Sequence, residues 1–128
     1  MKYDANTPIW LQVMTSLETD IVTGLRLPGS KLPGARDLAL SYEINPNTAA
    51  RVYQELEKTG LCETRRGLGT FVTMDEDRIR TARTDLAEKA LNQFLAKMET
   101  LGFSREDAIA MLAEKPPTSG QQLNRSDS

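Results

Sequence analysis

Histidine is missing from this chain of 128 residues. Its absence removes the commonest general base and the commonest metal ligand available near neutral pH. Cysteine occurs once, at Cys62, which excludes an intrachain disulfide framework and fits a reducing compartment. That thiol lies between Leu61 and Glu63 in an expected strand, with no imidazole to activate it, so it reads as structural rather than nucleophilic. A phosphate-binding loop is missing too, because GLGTF lacks the Lys-Ser/Thr pair that a P-loop requires. What is left for catalysis is carboxylates and hydroxyls in no recognisable constellation. An enzyme is not expected, and no cofactor or metal is called for.

Long apolar runs are lacking as well. None approaches membrane-spanning length, and the opening MKYDANTPIW has no apolar h-region. A cytoplasmic protein with no membrane partner is expected. No internal repeat is found. Nor is there an excess of positive charge, since the formal net charge is −2. No overall basic field advertises nucleic acid, although a contact surface needs only local charge. With 39% apolar residues, the length allows one domain, or one domain with an appendage, around a modest core.

What is present is most informative at INPNTAARVYQELEKTG, residues 44–60. Asn45 is a good N-cap, because its side chain can accept from the unpaired amides of a first turn. Pro46 then falls at the first helical position, where its missing amide costs nothing. Ala49, Val52, Tyr53 and Leu56 follow as one apolar stripe, and Gly60 suits a left-handed C-cap. Asn47, Ala50, Arg51 and Gln54 are left on the opposite side, and Asn47 and Thr48 give the helix a polar front end. On an arbitrary helix such a face is simply a solvated surface. The other reading is a surface built to meet donors and acceptors in a groove.

Thr7 and Pro8 repeat the cap-then-proline start, and predict a helix over about 8–24 that buries Ile9, Leu11 or Val13, Leu17 and Ile21. RLPGSKLPGAR carries two Pro-Gly pairs and reads as a turn-rich connection. A second helix is expected over about 34–42, with Ala35, Leu38 and Ala39 inward. A tight turn through Glu43 and Ile44 leads to the helix that begins at Asn45. LCETRRGLGTFVT alternates, is rich in Thr, Phe and Val, and holds Gly67 and Gly69 near its middle, which signals a hairpin. The order helix, helix, turn, helix, hairpin is that of a winged helix-turn-helix, in which the second helix of the pair meets a DNA major groove by its N-terminal residues. The hairpin is then the wing, with Arg65 and Arg66 at its tip.

From about residue 75 the chain becomes charged and helical. Ile79, Ala82, Leu86, Ala90, Phe94, Met98 and Leu101 make a stripe at spacings of three and four. Gly102 stops that helix, and Ser104 to Asp107 resembles a capping box for a short last helix ending near Glu114. Pro116 and Pro117 terminate it, and the polar TSGQQLNRSDS reads as disordered. The expected division is a winged helix-turn-helix over 1–73, a helical dimerisation region over 74–115 and a disordered tail over 116–128. The fold class is mainly α with a small β-hairpin, followed by a two-helix C-terminal region.

The run from PIWLQV to GLGTFV resembles the DNA-binding domain of GntR-family bacterial transcription regulators. It is most similar to the YtrA subfamily, whose NPNT-x-x-R-x-Y-x-E-L-E-x-x-G-L-x-E-T-R-R-G-x-G-T-F-V pattern is matched over residues 45–72. That subfamily lacks the large effector-binding domain of other GntR members. The resemblance implies that Arg36 touches DNA backbone or bases, that Asn47, Thr48 and Arg51 hold recognition-helix positions, and that Arg66 and Gly67 lie at a wing tip reaching the minor groove. It also implies a homodimer through the C-terminal region, and control of a transporter operon. Gly34 stands where the family usually has Ser, so a hydroxyl is lost at a helix start. Glu43 stands where Gly is common, so a positive φ there would carry a steric cost.

The expected DNA-contacting set is therefore Lys31, Arg36, Asn45, Asn47, Thr48, Arg51, Arg65, Arg66, Gly67 and Gly69. Glu18, Asp20, Glu55 and Glu57 lie on helices that can face away. An Arg pair on a random hairpin is usually a solvated turn, and an apolar stripe often packs on its own chain. A single small winged helix covers little DNA, however, and two-fold pairing is the common remedy. The expected partners are double-stranded operator DNA and a second copy of the chain, with any small-molecule effector left open. The expected role is a homodimeric repressor on an inverted repeat. A winged helix used for protein–protein contact without DNA is the alternative.

Overall fold

The computed structural model describes residues 1–116. In chain order it contains α1 (Ile9–Val22), α2 (Ala35–Tyr42), α3 (Pro46–Lys58), β1 (Cys62–Arg65), β2 (Gly69–Val72), α4 (Glu76–Thr100) and α5 (Arg105–Glu114). This is the mainly helical plan with one hairpin that the sequence leads one to expect. Apart from Pro116, the tail expected to be disordered lies outside the described residues. The described residues form two compact units, Met1–Leu86 and the segment from Ala87 to Pro116.

The first unit is built around the apolar stripes of α1, α2 and α3. Val13, Met14, Leu17 and Ile21 of α1 meet Leu38 and Ala39 of α2 and Ala49, Val52, Tyr53 and Leu56 of α3 in one buried cluster. Leu17, Leu38, Leu56 and Val52 are fully buried, and each such side chain contributes about 1.5–3 kcal/mol by leaving water. Of Leu11 and Val13, it is Val13 that is fully enclosed. Ile9 differs from expectation and is exposed. The helix also starts one residue later than a Thr7 cap implies, since Pro8 takes the N-cap position at φ −55°, ψ 139°. No side chain caps the helix; Gln12 instead ties down the segment that leads into it. Its Nε2 donates to the carbonyls of Asp4 at 2.7 Å and Thr7 at 2.8 Å, and its Oε1 accepts from the Asp4 amide at 2.8 Å.

The turn between α2 and α3 settles the question raised by Glu43. This residue is left-handed, at φ 57° and ψ 49°, and no other described non-glycine residue has a positive φ. Its amide donates to the Leu40 carbonyl at 3.3 Å, and the next amide, Ile44, donates to the Ala39 carbonyl at 2.9 Å. That pair of bonds is a Schellman motif with a glutamate in the place glycine usually fills. The end of α3 closes the same way with Gly60 in that place, Leu61 donating to Leu56 at 3.2 Å.

The hairpin pairs antiparallel, with Cys62 opposite Val72 and Arg65 opposite Gly69. Cys62 and Val72 turn into the core. The turn-rich connection before α2 adds a short edge to β2: Leu32 donates to Thr70 at 2.8 Å, Val72 donates to Ser30 at 2.9 Å, and Lys31 bridges to Phe71. The first turns of α4 complete this unit. Ala82 is buried, Ile79 packs against the core, and Arg78 Nε donates to the Thr59 carbonyl.

In the second unit, α4 ends in another Schellman motif, Phe103 donating to Met98 at 2.9 Å across Gly102. The capping box is formed as expected. Ser104 Oγ accepts from the Asp107 amide at 3.0 Å, and Asp107 Oδ2 accepts from the Ser104 amide at 2.9 Å. Ala108 is buried, while Leu91, Leu101, Ile109 and Leu112 are each more than half exposed.

Candidate nucleic-acid interface

The start of α3 carries the site. Asn45 is the N-cap, and its Oδ1 accepts from the Asn47 amide at 2.7 Å. Pro46 holds the first helical position. The cap consumes the carboxamide oxygen of Asn45, so its NH2 is the group left to meet a partner. With the apolar stripe buried, Asn47, Arg51 and Gln54 are exposed, and Thr48 and Ala50 are half-buried. The polar front end therefore lies on the side of α3 that the core does not use.

Arg51 is not loose. Its Cζ sits 4.2 Å from the centroid of the Trp10 ring, a cation–π contact between α3 and α1. Sequence reasoning missed this. Trp10 falls outside the stripe of α1, and no local spacing links it to residue 51; only the packing of α1 on α3 joins them.

The basic residues outside α3 divide into held and unheld. Arg36 lies in the first turn of α2, where Gly34 is the N-cap and no side chain caps the helix. Lys31 runs beside the wing, so close to Gly69 that a Cβ there would lie 2.8 Å from Lys31 Cε. The Lys31 chain can swing aside, so it is the φ of 120° at Gly69 that calls for a glycine at that point. Arg65 is the last residue of β1, not the tip. Its Nη2 is 2.9 Å from Glu63 Oε2, and its Cζ is 4.3 Å from the Phe71 ring centroid. Arg66, Gly67 and Leu68 form the turn itself, closed by the Leu68 amide donating to Arg65 at 2.9 Å. Among the described residues Arg36 and Arg66 have no ion pair, so their guanidinium groups are available to phosphates. Three of the four acids expected to face away have partners within their own neighbourhood: Asp20 with Arg26 at 3.3 Å, Glu55 with Lys58 at 3.2 Å, and Glu57, which accepts from the Thr64 amide at 2.9 Å.

The C-terminal stripe also divides. Ile79 and Ala82 belong to the core of the first unit. Leu86 and Met98 are half-buried, and Ala90, Phe94 and Leu101 are exposed. Leu91, exposed beside them, was not part of the expected stripe.

A helix-turn-helix whose second helix opens polar and uncovered, followed by a glycine-bearing hairpin with a free arginine, defines a winged helix-turn-helix regulator. The family model for bacterial regulatory proteins of the gntR family matches residues 10–72. The HTH-type transcriptional regulator YhcF of Bacillus subtilis is 34% identical over 108 residues, covering 84% of this chain and 89% of that protein. The HTH-type transcriptional repressor YtrA of Bacillus subtilis is 34% identical over 97 residues, covering 76% of this chain and 70% of that protein. Among solved structures, a GntR family transcriptional regulator from Listeria monocytogenes is 37% identical with a TM-score of 0.78, over 89% of this chain and 100% of that one. The AraR DNA-binding domain in complex with operator ORX1 is 25% identical with a TM-score of 0.52, over 57% of this chain and 90% of that one. The chain belongs to the GntR family and is an HTH-type transcriptional regulator. Among the described residues no helix is long and apolar enough to cross a membrane.

Proposed function

We propose that the chain is a sequence-specific repressor that binds an inverted-repeat operator as a homodimer in the cytoplasm, with no catalytic role. The observation that carries this reading is the exposed pair Asn47 and Arg51 on a helix whose apolar face is wholly buried. Asn and Arg are the side chains that read adenine and guanine edges by paired hydrogen bonds. Lys31, Arg36 and Arg66 would add phosphate contacts that fix register without reading sequence. The repressor role is carried over from YtrA, and the operator contact from the AraR complex. The dimer is supported by the exposed apolar residues after residue 87, which single subunits leave in water. A two-fold pair sets two recognition helices about one helical turn of DNA apart.

The test is selection of DNA fragments by the purified full-length protein. The enriched fragments should share an inverted repeat, and binding should weaken steeply as salt rises. Arg51→Ala should lower affinity for the selected operator by about 10- to 100-fold and change affinity for unrelated DNA little. No enrichment, or binding indifferent to salt, would favour a protein–protein module.

A further inference from the structure

We infer that Trp10 is a positioning residue for sequence readout, its indole acting as a plate that holds the Arg51 guanidinium at the uncovered side of α3. The inference rests on the DNA-binding reading above. The 4.2 Å separation between Arg51 Cζ and the ring centroid is well inside the roughly 6 Å over which the ring quadrupole attracts a cation. Trp10 is half-buried and packed against the core of the first unit, so the plate is fixed by its own packing. Arg51 is exposed, and among the described residues its side chain makes no hydrogen bond or ion pair. An exposed arginine without such a plate samples many rotamers, all but one of which are lost on docking.

The kind of contact matters as much as its presence. A ring offers the guanidinium no oxygen acceptor, so the N–H fork is left without a hydrogen bond, and that fork is what a guanine O6/N7 edge requires. A carboxylate would do the reverse. The wing supplies the comparison within the same molecule: Arg65 lies over Phe71, its Cζ 4.3 Å from the ring centroid, but its Nη2 is also held by Glu63 at 2.9 Å. Arg51 has the ring without the acid. Trp is also the aromatic side chain that attracts a cation most strongly. Trp10 therefore acts on discrimination, through Arg51, rather than on general attraction to DNA.

Trp10 is the chain's single tryptophan, so its fluorescence reports on the contact in the full-length protein. Arg51→Ala should change the emission of the free protein. In binding titrations, Trp10→Leu should weaken the selected operator by roughly two- to fivefold and leave unrelated DNA of equal length almost unchanged. Trp10→Tyr should recover part of the loss. In an Arg51→Ala background, Trp10→Leu should have no further effect on operator affinity. Equal loss on both DNAs, or the same loss without Arg51, overturns the inference. Should Trp10→Leu fail to fold, Trp10→Tyr combined with Arg51→Ala completes the same cycle. If the unaltered protein enriches no sequence, the operator reading fails first. The stacking is then judged on fluorescence alone, where unchanged emission in Arg51→Ala overturns it independently.

Discussion

The Tyr53 hydroxyl donates to the carbonyl of Pro33, the residue just before the Gly34 cap of α2. One hydrogen bond thus ties the middle of α3 to the entry of α2, the two helices whose mutual angle presents Asn47 and Arg51. Tyr53 is buried, and burial holds its phenol well above the ordinary range. Removing the hydroxyl leaves the Pro33 carbonyl without its partner, which costs about 1–3 kcal/mol. Tyr53→Phe should lower the unfolding free energy by that amount, seen as a lower urea midpoint with an unchanged slope. An unchanged midpoint would mean that water replaces the phenol without loss.

Alkaline pH should find the same region. Burial, with Glu57 and Glu63 adding to it, pushes the Cys62 thiol up to about 12 from its ordinary 9.0, and burial raises Tyr53. For both groups the folded state keeps a proton that the unfolded chain releases, so stability is fully present below pH 9 and falls as pH rises above it. Cys62→Ala should flatten the fall between about pH 9 and 12, although it leaves a small cavity. The native thiol should also resist alkylation at pH 8, because the thiolate is the reactive form. Alkylation as fast as that of free cysteine would contradict its burial.

Glu43 holds a left-handed conformation at φ 57° that costs a non-glycine residue roughly 1–2 kcal/mol. Glycine would relieve that strain and lose a few tenths through a freer unfolded chain. Glu43→Gly should therefore raise thermal stability by about 1 kcal/mol, seen as a higher Tm. The substitution also removes a negative charge near the recognition helix, so affinity for any DNA should rise slightly. A lower Tm would show that the glutamate side chain stabilises the turn in some other way.

Much of this was legible in the chain itself. The start and buried face of α3, the hairpin, the Gly102 stop and the Ser104 box are all set by neighbours within a few residues, so spacing and cap chemistry reveal them. The exceptions depend on distant packing. Nothing near Trp10 signals Arg51, and nothing near Thr59 signals that Arg78 will reach back to it. α1 starts one residue after Pro8 with no side-chain cap, and the entry is held instead by Gln12 reaching back to Asp4 and Thr7, a contact that carries no local signature. Arg65 looked equivalent to Arg66 because a two-residue repeat hides strand alternation and register; pairing with Gly69 makes one a strand residue and the other a turn residue.

That difference separates the two wing arginines experimentally. Arg66→Ala should weaken binding to all DNA and reduce the salt slope by about one unit. Arg65→Ala should do less, because Glu63 and Phe71 already hold its guanidinium. Glu63→Gln should strengthen binding to all sequences by releasing Arg65 and removing an acid from the wing. Salt titrations of the three variants on one unrelated duplex decide it. Equal losses for Arg65 and Arg66 would mean that the Glu63 pair opens on DNA at no cost.

The last prediction concerns where the chain can be cut. Ala82 is buried in the first unit and Ile79 packs on it, so stopping after Thr73 strips the winged helix of part of its own core. Stopping after Leu86 keeps those contacts and ends where the first compact unit ends. If the exposed side chains beyond that point are covered by a second copy, the fragment 1–86 should be folded and monomeric. It should keep weak, salt-sensitive DNA binding and lose most operator affinity, because the second half-site is no longer held nearby by linkage. Leu91 and Phe94, exposed at 53% and 38%, should be central to that cover. Changing both to Glu in the full-length chain should yield a monomer whose first unit stays folded, since neither belongs to it, although the melting temperature falls by the dimer's share. The mass in solution, measured beside operator titrations, reads both variants. A fragment 1–86 that stays dimeric at full affinity would move the dimer contact into the winged helix and leave α5 in need of another partner.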